Sequence, residues 1–195
     1  ADIFYNEFDA SPSWRAANDG RPHRLTGTGI YELPFGKGRS FLRDGWASRL
    51  MGGFQLAATY EYSPGQLIDF GNLFYYGNDV SEINSGESTL GRWFNTDNFE
   101  RAAARAPGTF HRRVFPTRVD DVRADSTTLW NANIQRNFRI GERLILEARM
   151  DALNLQNRSV FNPPNTNPVS TDFGKVLAQS STMNRFIQLQ VKIRF

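Results

Sequence analysis

The residues that could do chemistry are few and poorly grouped. Phe35-Gly-Lys-Gly-Arg-Ser40 has the glycines, lysine and serine of a phosphate-binding loop. It lacks the glycine spacing and the Lys-Ser/Thr pair that wrap N–H groups and an ammonium around phosphates, so a turn between strands accounts for it. Asp120-Asp121 offers two carboxylates for a metal or for acid–base work, but Arg118 and Arg123 flank it, as in a solvated salt-bridge cluster. His111-Arg112-Arg113 has no second histidine or carboxylate at metal-ligand spacing. The stretch 101–123 is the richest in arginine and contains Phe110 and Phe115. It suits either an anionic ligand, such as the phosphates of lipopolysaccharide, or a charged exposed loop. There is no cysteine, hence no thiolate and no disulfide framework. No catalytic residue, metal site or cofactor is expected, and the chain reads as a non-enzyme.

Binding is better represented than catalysis. Phe70, Phe74, Tyr75, Tyr76, Trp93, Phe94 and Phe99 stand among Gly, Asn, Asp and Ser. Aromatics interleaved with amides suit stacking and hydrogen bonding to a carbohydrate, peptide or aromatic ligand, which makes these seven the ligand-contact candidates. The same aromatics would also serve to fold a long loop on itself.

The elements that must position them alternate with period two. Five such segments are expected at 24–33, 54–63, 129–138, 144–152 and 186–195. The last is the most regular: Ile187, Leu189, Val191, Ile193 and Phe195 on one face, Gln188, Gln190, Lys192 and Arg194 on the other. In the third, Trp130, Ala132, Ile134 and Phe138 share a face with one polar intruder, Arg136. About ten residues, greasy on one side and wet on the other, fit a tilted strand crossing a bilayer. An edge strand of a soluble sandwich also alternates, but one this apolar would invite aggregation.

The connections alternate too. Those between segments one and two and between three and four are shorter; 64–128 and 153–185 are long. Membrane barrels have short periplasmic turns and long extracellular loops. The expected fold is therefore all-β: antiparallel up-and-down transmembrane β-barrel strands, a single segment over 1–195 forming the C-terminal portion of a larger barrel, with long extracellular loops. Ile187, Leu189, Val191, Ile193 and Phe195 would face lipid. Glu61, Asn131, Asn133, Gln135, Glu147, Arg149, Asp151, Gln188, Gln190, Lys192 and Arg194 would face the lumen, joined by cross-strand ion pairs and hydrogen bonds. Mean hydropathy is −0.51 and no stretch approaches the apolar run a spanning helix needs, a test that barrels evade because alternate residues face water. The net charge of +3 gives no reason to expect nucleic acid. The start, Ala1-Asp-Ile-Phe-Tyr-Asn-Glu7, is not a signal peptide, so either one has been removed or the chain is a piece of a longer one.

Several motifs, in order, resemble the carboxy-terminal part of Oar-like TonB-dependent receptors: Gly20-Arg-Pro-His-Arg-Leu25, Ile30-Tyr-Glu-Leu-Pro-Phe-Gly-Lys-Gly38, Arg92-Trp-Phe-Asn-Thr96, Asn137-Phe-Arg-Ile140, Ala152-Leu-Asn154, Asp172-Phe-Gly-Lys175 and the terminal Phe195. The resemblance implies a bacterial outer-membrane importer of a scarce solute, driven from the inner membrane. Its partners would be the remainder of the barrel and a plug, outer-membrane lipid and lipopolysaccharide, the barrel assembly machinery that reads the terminal strand, and TonB. This chain contains neither plug nor TonB-binding segment, and five strands are too few to close a barrel. The alternative reading is a structural β-rich subunit of an extracellular or cell-surface assembly. A soluble β-sandwich enzyme is a third, for which no catalytic constellation is found.

Overall fold

The computed structural model describes the chain except Ala1, Tyr5, Asn18, Asp19, Ser85, Glu87 and Glu142. Where the sequence leads one to expect a single segment, the chain divides into two compact units. Unit 1 comprises Ala1–His23, Pro64–Ser126 and Val160–Ser180; unit 2 comprises Arg24–Ser63, Thr127–Ser159 and Ser181–Phe195.

Unit 1 begins with a short antiparallel pair, β1 (Asp2–Ile3) and β2 (Ser13–Trp14). Unit 2 is a five-stranded antiparallel meander in the order β3 (Leu25–Glu32), β4 (Phe54–Ser63), β5 (Thr127–Ile140), β6 (Leu144–Leu153), β7 (Phe186–Arg194). All five expected strands are present. Strand β5 is longer than its alternation suggests, because Thr127 and Thr128 pair with Ser63 and Tyr62 while Arg139 and Ile140 pair with Ile145 and Leu144. The β5–β6 turn starts at Gly141, whose φ of 67° lies in the left-handed region that glycine enters without a Cβ clash. Strand β3 ends where Leu33 N–H donates to Phe54 O at 2.9 Å and Pro34 removes the next donor. Between β3 and β4 lies the helix α1 (Gly45–Met51). The meander places the β3–β4 and β5–β6 connections at one end of the sheet and the two long connections at the other.

The sheet has no core of its own. Every described residue of β3 and β7 is exposed, and within the five strands only Ser63 and Ala152 are buried. Strands β3 and β7 are the edges. A wide apolar face open on both flanks is stable only where something apolar covers it and other backbone pairs with its edges.

Unit 1 is the opposite: little regular structure and a packed core. Ile68, Phe70, Leu73, Ile83, Phe94, Phe99, Phe115, Val119, Val122 and Phe173 form one buried cluster. The rings meet edge to face, as aromatic quadrupoles prefer: Phe70–Phe94 at 5.3 Å, Phe94–Phe173 at 5.3 Å, Phe99–Phe173 at 5.1 Å and Phe70–Phe115 at 5.6 Å. Arginines stitch the three segments together through carbonyls. Arg118 donates to Ala16 O at 2.7 Å, Arg123 to Gly20 O at 3.0 Å, and Arg101 to Ser170 O at 2.8 Å.

Candidate functional site

The pairing register settles which side chains share a face. Opposed residues stack across the strands as Leu56–Ile134–Met150–Leu189 and as Ala58–Ala132–Ala152–Ile187. Tyr60 faces Trp130, their rings 4.7 Å apart. Phe138, Leu146 and Ile193 form a further row of the same face. The apolar rows of the five strands thus continue across one face with no slip, while Ile30, Leu129, Ile145, Leu153 and Phe186 stand on the other.

The opposite face is polar along its middle rows. Its rows are Asn133–Asp151–Gln188, Gln55–Gln135–Arg149–Gln190 and Asn137–Glu147–Lys192, with Asn131 beside Thr59. Gln135 donates to Gln55 across the β4–β5 pair, and Arg194 pairs with Glu147 across β6–β7. Arg149 holds Asp151 along its own strand, Nη2 to Oδ1 at 2.7 Å, and Arg24 holds Glu61 at 2.8 Å. Every donor or charge so engaged stiffens the wall and leaves that face wettable.

Arg136 is the exception on the apolar face. It sits in the row Phe54–Arg136–Ala148–Val191. Its guanidinium lies over the ring of Phe138 at 4.2 Å and of Phe54 at 5.0 Å, and its two terminal nitrogens donate to the carbonyls of Arg49 and Leu50. Those carbonyls belong to the last turn of α1, where they have no intrahelical donor and the helix dipole is negative. The intruder is a helix cap supplied by a neighbouring strand.

Asn154 organises the start of the β6–β7 connection. It is buried, with φ of 49°, a left-handed value that asparagine tolerates better than most residues. Its N–H donates to Asn131 Oδ1 at 2.9 Å, Nδ2 donates to Arg158 O at 2.9 Å and Met183 O at 2.6 Å, and Oδ1 accepts from Arg158 N–H at 3.0 Å.

The seven aromatic candidates do not form one surface. Phe70, Phe94 and Phe99 are in the core of unit 1, so ligand contact is replaced by packing for these three. Phe74 is half-buried against His111, ring to ring at 5.1 Å. Tyr75 stacks on Phe99 at 4.9 Å, and its hydroxyl donates to Glu82 at 3.2 Å. Trp93 donates through Nε1 to Arg123 O at 2.7 Å and lines a polar cleft of about 480 Å³ with Asn84, Ser88, Asp121 and Asp125. Tyr76 alone of the seven is widely exposed. Two aromatics outside the set, Phe8 and Phe110, are fully open to solvent and line a second cleft of about 420 Å³. Their flanking sequence carries no alternation to distinguish them.

The arginine-rich stretch is spent internally. Arg105 holds Glu100 at 2.8 Å and 3.1 Å, Arg112 holds Asp9 at 2.6 Å, Arg118 holds Asp69 at 2.6 Å, and Arg113 donates to the carbonyls of Phe70 at 2.6 Å and Phe115 at 2.8 Å. Arg118 and Arg123 therefore turn to Asp69 and to carbonyls rather than to Asp120-Asp121. The Arg105 hydrogen bonds, with Ala102 N–H and the Tyr76 hydroxyl, hold the Glu100 carboxyl down at about 2.

A family model described as an outer membrane beta barrel domain matches residues 2–188. No curated protein and no solved structure matches the chain.

Proposed function

The chain belongs to the outer membrane beta barrel domain family and resides in the bacterial outer membrane; from that premise we propose that it forms barrel wall of a TonB-dependent transporter that imports a scarce solute with energy from the inner membrane. The observation that carries this reading is the register, which gathers most apolar positions of five strands into continuous rows on one face and most polar ones onto the other. The first is the lipid side; the second faces water and plug. The open edges of β3 and β7 pair with further strands of the barrel, since lipid offers an unpaired edge no hydrogen bonds. The hairpin ends are periplasmic and the long connections extracellular, where they meet lipopolysaccharide and gather the ligand. The barrel assembly machinery engages β7, and TonB engages a segment outside these residues. No step of this function makes or breaks a bond in the solute, so the protein is not an enzyme.

The mass of the intact denatured polypeptide, measured on outer membranes, tests this reading. A mass several-fold above 22.2 kDa, with capture by a soluble TonB periplasmic domain, is the expected result. A 22.2 kDa protein recovered without detergent as surface polymers would replace the transporter with a structural subunit.

A further inference from the structure

The β3–β4 connection is built unlike a plain turn. Residues 34–53 contain four basic side chains and one acidic one. The connection folds on itself through Gly36 and Gly52: a Cβ on Gly52 would stand 2.6 Å from Ser48 O, closer than real Cβ atoms approach, and a tight 3.0 Å from Gly36 Cα. Gly52 N–H closes the helix on Ser48 O at 3.0 Å, and Phe41 N–H donates to Pro34 O at 2.9 Å. The segment is therefore shaped, yet its large apolar groups face outward. Trp46 is 78% exposed and Leu50 57%, one turn apart on the same face of α1; Phe41 and Leu42, just before the helix in the chain, are exposed as well. Lys37, Arg43 and Arg49 of the same segment are exposed too. Arg136 holds the helix from the apolar face of the sheet.

We propose that residues 35–51 are a membrane foot: an amphipathic element that seats Trp46, Leu50, Phe41 and Leu42 at the headgroup boundary of the periplasmic leaflet and binds the phosphates of anionic phospholipids through Lys37, Arg43 and Arg49. This rests on the barrel orientation proposed above. The chemistry fits in both parts. Tryptophan and leucine on one helix face with basic residues around them match the interfacial pattern, and long basic side chains reach headgroup phosphates while their stems stay in the apolar layer. Continuity with the sheet's apolar face fixes the occupant: the Arg136 cap keeps α1 on the side that faces lipid, at the end carrying the hairpin turns. Arg136 thereby turns a charge on the apolar face into a positioning device for the foot.

The test is tryptophan quenching in proteoliposomes containing brominated phospholipid, with the full protein, its Trp46→Phe variant and its Trp130→Phe variant. Trp130 lies on the sheet's apolar face and reports insertion. The expected result is that each substitution removes about one tryptophan's worth of lipid-quenched emission. Brominated phosphatidylglycerol should quench Trp46 at least twofold more than brominated phosphatidylcholine at equal mole fraction. That preference should vanish in Lys37→Gln/Arg43→Gln/Arg49→Gln. If Trp130 is quenched and Trp46 is not, the foot is overturned while the barrel stands. If Trp130 is not quenched, the barrel orientation itself fails. Equal quenching of Trp46 by the two lipids overturns the anionic site.

Discussion

Leu189 is the position where the two-faced sheet can be tested with one charge. Its row, Leu56–Ile134–Met150–Leu189, is apolar throughout, and the leucine itself is 75% exposed, so in the proposed orientation it touches lipid. Arginine at a bilayer midplane costs about 2–4 kcal/mol on a barrel strand. Insertion scales agree, giving about +3 for arginine against about −0.5 for leucine at mid-membrane. Leu189→Arg should therefore cost about 3 kcal/mol, on the order of 100-fold in the folding equilibrium. Val191 is a poorer test, because its row already holds Arg136 and lies nearer the hairpin end. Gln190→Arg enters the row Gln55–Gln135–Arg149–Gln190 on the wet face and should cost less than about 1 kcal/mol. Reversible urea unfolding in phospholipid vesicles, followed by the heat-dependent gel shift of folded barrels, reads both variants. Equal costs at 189 and 190, or a greater cost at 190, would refute the assignment of faces.

Three further outcomes follow from the geometry. Asn154→Ala removes the side-chain groups that serve Arg158 N–H and O and Met183 O, and should destabilise the β6–β7 connection by about 2–4 kcal/mol, seen as new protease nicking between residues 155 and 159. Phe94→Ala opens a cavity between Phe70 and Phe173 in a core where Phe94 is 1% exposed, and should cost unit 1 about 3–5 kcal/mol, read from the loss of its near-ultraviolet aromatic signal. Glu100, held at about 2 against an ordinary 4.5, binds its proton more readily unfolded than folded. It therefore stabilises unit 1 fully above about pH 4.5, and that contribution is lost as pH falls toward 2; Glu100→Gln should flatten this part of the acid-unfolding curve.

The sheet is legible in the sequence because its signal is local. Ile187 to Arg194 alternates by itself, and a strand with one greasy face tolerates no one-residue slip, so five local patterns fix one continuous face. Arg136 is visible as the odd residue of its strand, but its purpose is not: the carbonyls it caps lie 86 and 87 residues away in a helix whose own pattern is too short to read. Unit 1 is the larger omission. Its core joins Phe70 to Phe115 and Phe99 to Phe173 through contacts between segments distant in sequence, with little regular structure to impose a period. Aromatics among Gly, Asn and Ser look alike whether they pack inward, as Phe94 does, or stay open, as Tyr76 does. The arginines of 101–123 mislead for the same reason, since their partners are carboxylates elsewhere in unit 1, such as Asp9 and Asp69, and backbone carbonyls that every sequence supplies.

The most direct test of the account is a cysteine scan along β7 in the assembled outer-membrane protein. These 195 residues contain no cysteine, so single substitutions at each position from 187 to 193, in a background cleared of any cysteine elsewhere in the polypeptide, can be labelled one at a time with a water-soluble, membrane-impermeant maleimide. The two-faced wall predicts alternation: rapid labelling at 188, 190 and 192, and protection at 187, 189, 191 and 193. Uniform labelling, or the opposite alternation, would contradict a wall with lipid on one side and water on the other.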